Sequence, residues 1–153
     1  LKELFQNTVL VINRRDYSQA EVEDWASCGN NLSNIKERIE THYFVVAVNQ
    51  QSQIVGFSSI TPQGYLHSMF VHKDFQGEGI ATMLLEEIER YAITAGITRI
   101  TSEVSLTARP FFEKKGYVVE KEQKRKANQL SLTNFLMAKE VAFLEYYNKK
   151  VTD

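Results

Sequence analysis

Tyr65-Leu66-His67-Ser68-Met69-Phe70-Val71 reads as a strand, and Gln76-Gly77-Glu78-Gly79-Ile80-Ala81 stands just beyond it, at the head of a helix. The helix is expected over Gly77 to Ala95. Ile80, Leu84, Leu85, Ile88, Tyr91, Ala92 and Ala95 fall on one stripe, and Gly96 supplies a stop. Ile97 to Val104 is a strand again. A strand, a helix and a strand in this order imply a right-handed crossover, which sets the second strand parallel to the first. This βαβ unit decides the fold.

Upstream, Leu4, Val9 and Ile12 suggest a first helix ending near Asn13 to Asp16. Ser18, with Glu21 three residues later, has the pattern of a capping box that opens a second helix carrying Val22, Trp25 and Ala26. Ser33 to Glu40 reads as a short third helix. Tyr43 to Val48 and Ile54 to Ile60 are strands separated by the polar turn Asn49-Gln50-Gln51-Ser52. With Tyr65 to Val71 they form an antiparallel meander, because the connections are too short for parallel crossovers. Downstream, Pro110 sits in the first turn of a short helix that Gly116 ends. Tyr117 to Glu122 and Leu130 to Lys139 make a hairpin around Lys126-Ala127-Asn128, and Val141 to Lys149 reads as a helical tail. The expected class is α+β: a mixed, mostly antiparallel sheet around one central βαβ unit, flanked by helices.

The chain of 153 residues fits one domain, 43% hydrophobic and 24% charged, with 18 basic and 19 acidic residues and a net charge of −1. That balance offers no electrostatic reason to bind nucleic acid or an anionic membrane. No apolar run approaches the ~20 residues of a membrane span, and no signal peptide is read. Cys28 is the single cysteine, which excludes an intrachain disulfide and a thiolate metal cluster and makes a reducing, cytoplasmic setting the default.

Gly77 and Gly79 let the backbone approach a ligand closely, and free N–H groups at a helix start suit a diphosphate. The segment is no P-loop, since no Lys-Ser/Thr pair follows, and it lacks the third glycine of a dinucleotide fingerprint. A glycine-rich helix start without a ligand is the plain alternative. Here the sequence resembles the GNAT superfamily of N-acetyltransferases, and within it a bacterial YafP-like subgroup. Gln76, Gly79 and Ala81 meet the superfamily's phosphate motif Q/R-x-x-G-x-G/A. Glu103-Val104-Ser105-Leu106-Thr107-Ala108-Arg109-Pro110-Phe111-Phe112-Glu113-Lys114-Lys115-Gly116-Tyr117 is similar to a second block of the subgroup. Thr8-Val9, Asn13-Arg14-Arg15-Asp16-Tyr17, Trp25-Ala26 and Leu132-Thr133-Asn134-Phe135-Leu136-Met137 resemble further blocks, in the family's order. The resemblance runs from about Leu1 to Lys139. Family members carry a strand before the first helix, which is not seen here ahead of Leu1-Lys2-Glu3. The position where the superfamily often places an acidic tyrosine is Phe112, which has no proton to give.

The resemblance implies acetyl transfer from acetyl-CoA, without a metal, to a bound amine where two parallel strands splay apart. Met69, Phe70 and Val71 are expected to face the pantetheine arm with main-chain groups, the N–H of Met69 or Phe70 polarising the thioester. Gln76, Gly77, Glu78, Gly79, Ile80, Ala81 and Thr82 are expected to take the diphosphate on main-chain amides, with the Glu78 side chain outward. Ser105 and Phe112 are expected beside the arm. An attacking amine must shed a proton, since an ammonium of pKa about 10 has no lone pair. Glu103 is the candidate base, against the plain alternative of an exposed carboxylate or an ion pair with an Arg. His67 is the second candidate, and His42 and His72 read as element-end residues. Tyr17, Trp25, Tyr65, Arg109 and Phe111 are candidates for the acceptor pocket, each also a plausible core residue. Glu120 to Lys126 reads as a solvated hairpin. Two other readings keep the fold: a CoA-binding regulator without turnover, and an interaction module docking through Phe143, Tyr146 and Tyr147. The tail is also a candidate surface for a homodimer.

Overall fold

The computed structural model describes residues 1–141 of the chain. The tail expected beyond Val141, with its docking and dimer readings, lies outside the described residues.

Helix α1 (Lys2–Val11) leads through a 3-10 turn (Asn13–Arg15) to α2 (Gln19–Ser27) and α3 (Leu32–Thr41). Strands β1 (Tyr43–Val48), β2 (Ile54–Ile60) and β3 (Tyr65–Val71) form the expected antiparallel meander. Helix α4 (Ile80–Thr94) crosses to β4 (Arg99–Ser105), which is parallel to β3. Helix α5 (Arg109–Lys114), β5 (Val118–Lys126) and β6 (Ser131–Glu140) complete the order. The sheet runs β1-β2-β3-β4-β6-β5, so the last strand inserts between β4 and β5.

Ser18 caps α2 as its spacing predicts. Its hydroxyl accepts from the Glu21 N–H at 3.1 Å, and the Glu21 carboxylate accepts from the Ser18 N–H at 2.9 Å. Three boundaries differ from expectation. Helix α4 starts at Ile80 rather than Gly77, because Gly77 and Gly79 hold φ of +76° and +80°, outside helical geometry. Strand β4 starts at Arg99, because the Ile97 N–H returns to Ala92 O at 2.8 Å to close the end of α4. Strand β5 continues to Lys126, because β6 pairs with it as far as Ser131.

The sheet is covered on both faces. Ile88 of α4 meets Ile60, Ile100 and Met137 of the sheet, all with no exposed surface, each contributing about 1.5–3 kcal/mol relative to exposure. Under α1 and α2 a second cluster gathers Val9, Tyr17, Val22, Ala26 and Leu132. Two polar stitches fasten that second layer. Tyr17 Oη donates to Thr133 O at 2.6 Å and accepts from the Leu106 N–H at 2.9 Å. Asp24 on α2 accepts from the N–H groups of Asn128, Gln129 and Leu130 at 2.9–3.0 Å, clasping the β5–β6 turn.

Desolvation pushes the Asp24 carboxyl up, but those turn amides, helped by Lys126, hold it below the usual range overall. A depressed carboxyl pKa contributes stability that is complete above the unfolded value of about 3.9 and fades as pH falls through the folded value. Asp24→Ala should therefore speed hydrogen exchange at residues 128–130 at neutral pH while leaving α4 protected. Wild type should show the same local loosening only in acid.

Candidate active site

The parting of β3 from β4 sets the site. Their register is confined to Tyr65↔Thr101 and Leu66↔Ser102. Beyond it two local features end the ladder. Ser102 Oγ donates to Leu66 O at 2.8 Å, so a side chain takes a carbonyl at the edge of the parting. On the other side of β3 the register with β2 shifts between Ser59↔Ser68 and Ile60↔Leu66, leaving His67 as the extra residue of a bulge. A bulge bends its strand and adds twist. The V-shaped opening is continuous with a cavity of about 850 Å3 that reaches from the head of α4 to α3.

At one end of the cavity lie Gln76, Gly77 and Gly79 to Thr82. A Cβ built on Gly77 or Gly79 meets nothing within 4 Å, so these glycines serve the positive φ and leave space in front of the backbone. The first N–H in α4 with a helical partner is that of Met83, bonded to Gly79 O at 3.1 Å. Among the described residues the amides from Gln76 to Thr82 have no hydrogen-bond partner, and Gly79 has no side-chain cap. Unpaired donors at a helix N-terminus make an anion site. The Gln76 side chain is engaged elsewhere: Nε2 donates to Val71 O at 2.7 Å.

In the middle, the main chain of β3 faces the opening with alternate residues. Val71 O is held from the open side by Thr8 Oγ1 at 2.9 Å and by Gln76, whereas the His72 N–H is turned back to Val55 O at 2.8 Å. Strand alternation then turns Phe70 to β2 and Met69 to the opening. Of the two expected thioester donors, the geometry favours the Met69 N–H. Ser105 lines this part of the cavity while its Oγ accepts from the Ala108 N–H at 3.1 Å. Phe112 is 3% exposed and packs edge-to-face on Tyr117, 5.1 Å between centroids. Tyr117 is no substitute acid in the wall: it does not line the cavity, and its hydroxyl donates to Glu89 at 2.9 Å.

At the far end Tyr65, His67 and Glu103 meet. Glu103 Oε1 accepts from Arg125 Nε at 3.0 Å, so the ion pair named as its plain alternative is formed, on a carboxylate that still lines the cavity. Arg125 makes that contact from the expected solvated hairpin and stays exposed. The His67 ring lies 5.9 Å from Tyr65 and 5.5 Å from His42, and its buried Nδ1 has no partner. Burial first, then the Arg38 and His42 charges, push His67 down to about 4, leaving it neutral at physiological pH. Burial and the Glu103 charge push the Tyr65 hydroxyl up to about 12.

Of the residues singled out from sequence, only Glu78 and Arg109 stand outside the cavity wall. Glu78 is exposed. Arg109 pairs with Glu113 at 2.9 Å and stacks over Phe135 at 4.4 Å, so it is not part of the acceptor side. Tyr17 offers the cavity only its ring, because both sides of its hydroxyl are engaged in stitching the fold. Trp25 and Phe111 line it directly. Arg38 and Arg125 also belong to the wall; Arg38 went unread in the sequence, and Arg125 was read only as part of a solvated hairpin. The one local signal for Arg38 is that positions 34, 35, 41 and 42 carry no acidic partner for it.

The family model described as an acetyltransferase (GNAT) domain matches residues 13–140. An uncharacterized N-acetyltransferase of Escherichia coli (strain K12), YafP, is 28% identical over 135 residues, 88% of this chain and 83% of its own. The crystal structure titled GCN5-related N-acetyltransferase: aminotransferase, class-II, from Rhodopseudomonas palustris is 27% identical with a TM-score of 0.87, covering 92% of this chain and 87% of that one. The PaiA N-acetyltransferase of Thermoplasma acidophilum, solved in complex with coenzyme A, shares the fold at 19% identity and a TM-score of 0.70, covering 91% and 89%. The chain belongs to the GNAT acetyltransferase family.

Proposed function

We propose that this chain transfers an acetyl group from acetyl-CoA directly to a primary amine bound at the Tyr65–His67–Glu103 end of the cavity. The observation that carries the reading is the run of unpaired amides from Gln76 to Thr82, which opens into the same cavity as the parted strands. The residues fit acetyl-CoA: a cradle opened by Gly77 and Gly79 for its diphosphate, then an unpaired strand edge for its arm. Bound there, acetyl-CoA supplies the activated thioester. PaiA, which shares the fold, was solved in complex with coenzyme A, which supports acetyl-CoA as the co-substrate.

The chain's own groups divide the work. The Met69 N–H donates to the thioester oxygen, and a donor so placed is worth about 2.7–4 kcal/mol to the transition state. Glu103, oriented by Arg125, holds the amine and accepts its proton. The ammonium first gives a proton to water, leaving the small neutral fraction that attacks; as the bond to carbon forms, the nitrogen becomes strongly acidic, and its second proton passes favourably to the weakly basic Glu103 carboxylate. Neutral His67 offers a second hydrogen-bonding group beside it. Phe112 contributes shape and no proton; the departing sulfur, with a thiol pKa of about 8.5, takes its proton from water.

Free-thiol release from acetyl-CoA with a panel of primary amines tests the reading. Glu103→Gln should lower kcat by about 10²-fold or more while leaving the thermal shift with CoA intact. If CoA binds and no amine in a broad panel releases thiol, the transferase reading fails and a CoA-binding regulator replaces it. Gly79→Ala forces a Cβ onto a backbone at φ +80° beside the cradle. It should weaken CoA binding at least tenfold by titration, with Tm falling by only a few degrees. Phe112→Tyr should alter the alkaline limb of the pH–rate profile. The wild-type profile should show no limb near 6.5, because His67 titrates at about 4.

A further inference from the structure

Helix α3 turns the face formed by Asn31, Asn34, Ile35 and Arg38 toward the cavity. These positions fall at the spacing of one helical stripe. Arg38 is partly buried, and among the described residues its guanidinium has neither a hydrogen bond nor a carboxylate partner. The other cavity arginine, Arg125, is paired with Glu103. A guanidinium carries a fixed fork of donors that suits a carboxylate, and removing it from water without a partner is costly. The Arg38 charge reaches Tyr65, His67 and His42 at the acceptor end, as well as Glu37 and Cys28 beside it.

We propose that Arg38 is an anion subsite that selects acceptors carrying a carboxylate on the same small molecule as the amine, that is, amino acids rather than simple amines. The proposal rests on the transferase reading for its amine, and it adds a second point of attachment. The two charges of such an acceptor find complementary partners in one cavity. The ammonium meets Glu103, and the carboxylate meets Arg38 with Asn34 on the same helical stripe. A bound carboxylate would also offset the Arg38 share of the field on His67. The other groups facing that ring are His42, Tyr65 and the Glu103–Arg125 pair, and they would be unchanged.

The test measures binding and turnover separately. α-Amino acids, β-alanine and γ-aminobutyrate are each titrated against the corresponding carboxamide, with the protein saturated in CoA. The same pairs are then assayed for thiol release with acetyl-CoA. At least one carboxylate should bind about tenfold or more tightly than its carboxamide, as expected for a charge-assisted hydrogen bond. R38Q should erase that preference without changing the affinity for the carboxamide or for CoA. R38K, which keeps the charge, should restore part of it. If every carboxamide binds as well as its carboxylate, or R38Q leaves the preference intact, the subsite is overturned. Amino-acid binding with the Arg38-dependent preference but no thiol release would uphold the subsite and defeat the transferase reading, so the two failures are told apart.

Discussion

The site exists because two parallel strands stop pairing early. Parallel neighbours in a sheet normally keep their ladder for their whole length, and β3 and β4 keep theirs for two residue pairs. The Ser102 hydroxyl taking Leu66 O, and the bulge at His67, end it. Everything chemical about the molecule follows from that interruption. Main-chain groups of β3 that would have been spent on β4 are left for a ligand, and the side chains at the mouth, Tyr65, His67 and Glu103, are brought to one end of the opening.

An open seam in the middle of a sheet has to be held from outside, and the two layers do this differently. On one face α4 packs Ile88, Leu85 and Ala92 onto the sheet, a mainly apolar brace to which Glu89 adds contacts with Tyr117 and Lys139. On the other face α2 is fastened by directional contacts, through Tyr17 to β6 and the β4–α5 loop and through Asp24 to the β5–β6 turn. Apolar packing fixes the distance between layers, and hydrogen bonds fix their lateral position. The acceptor end, walled by helices and by the β5–β6 hairpin, depends on the second kind.

The candidate site divides along the same line in how legible it was. Gln76, Gly77 and Gly79 could be read directly, since a left-handed turn before a helix demands glycine and leaves a mark in the sequence. Met69 was legible as a strand position, but not its advantage over Phe70, which depends on which edge each N–H faces. Glu103 was placed on the right strand, yet its partner Arg125 lies on a hairpin strand, and nothing local announces that contact. Arg109, beside the expected site in sequence, turned to Glu113 and Phe135. Arg38, remote in sequence, turned in.

By itself the sequence determined the elements and their handedness. The meander, the crossover helix, the capping box at Ser18 and the stops at Gly96 and Gly116 are local consequences of side-chain pattern, turn chemistry and chirality, which act over a few residues. Only the tertiary structure decided that β6 slots between β4 and β5, that β3 and β4 part after Leu66, and which arginine faces the cavity. Those outcomes depend on groups brought together from distant parts of the chain, and no short-range preference encodes which of several chemically similar partners will be nearest.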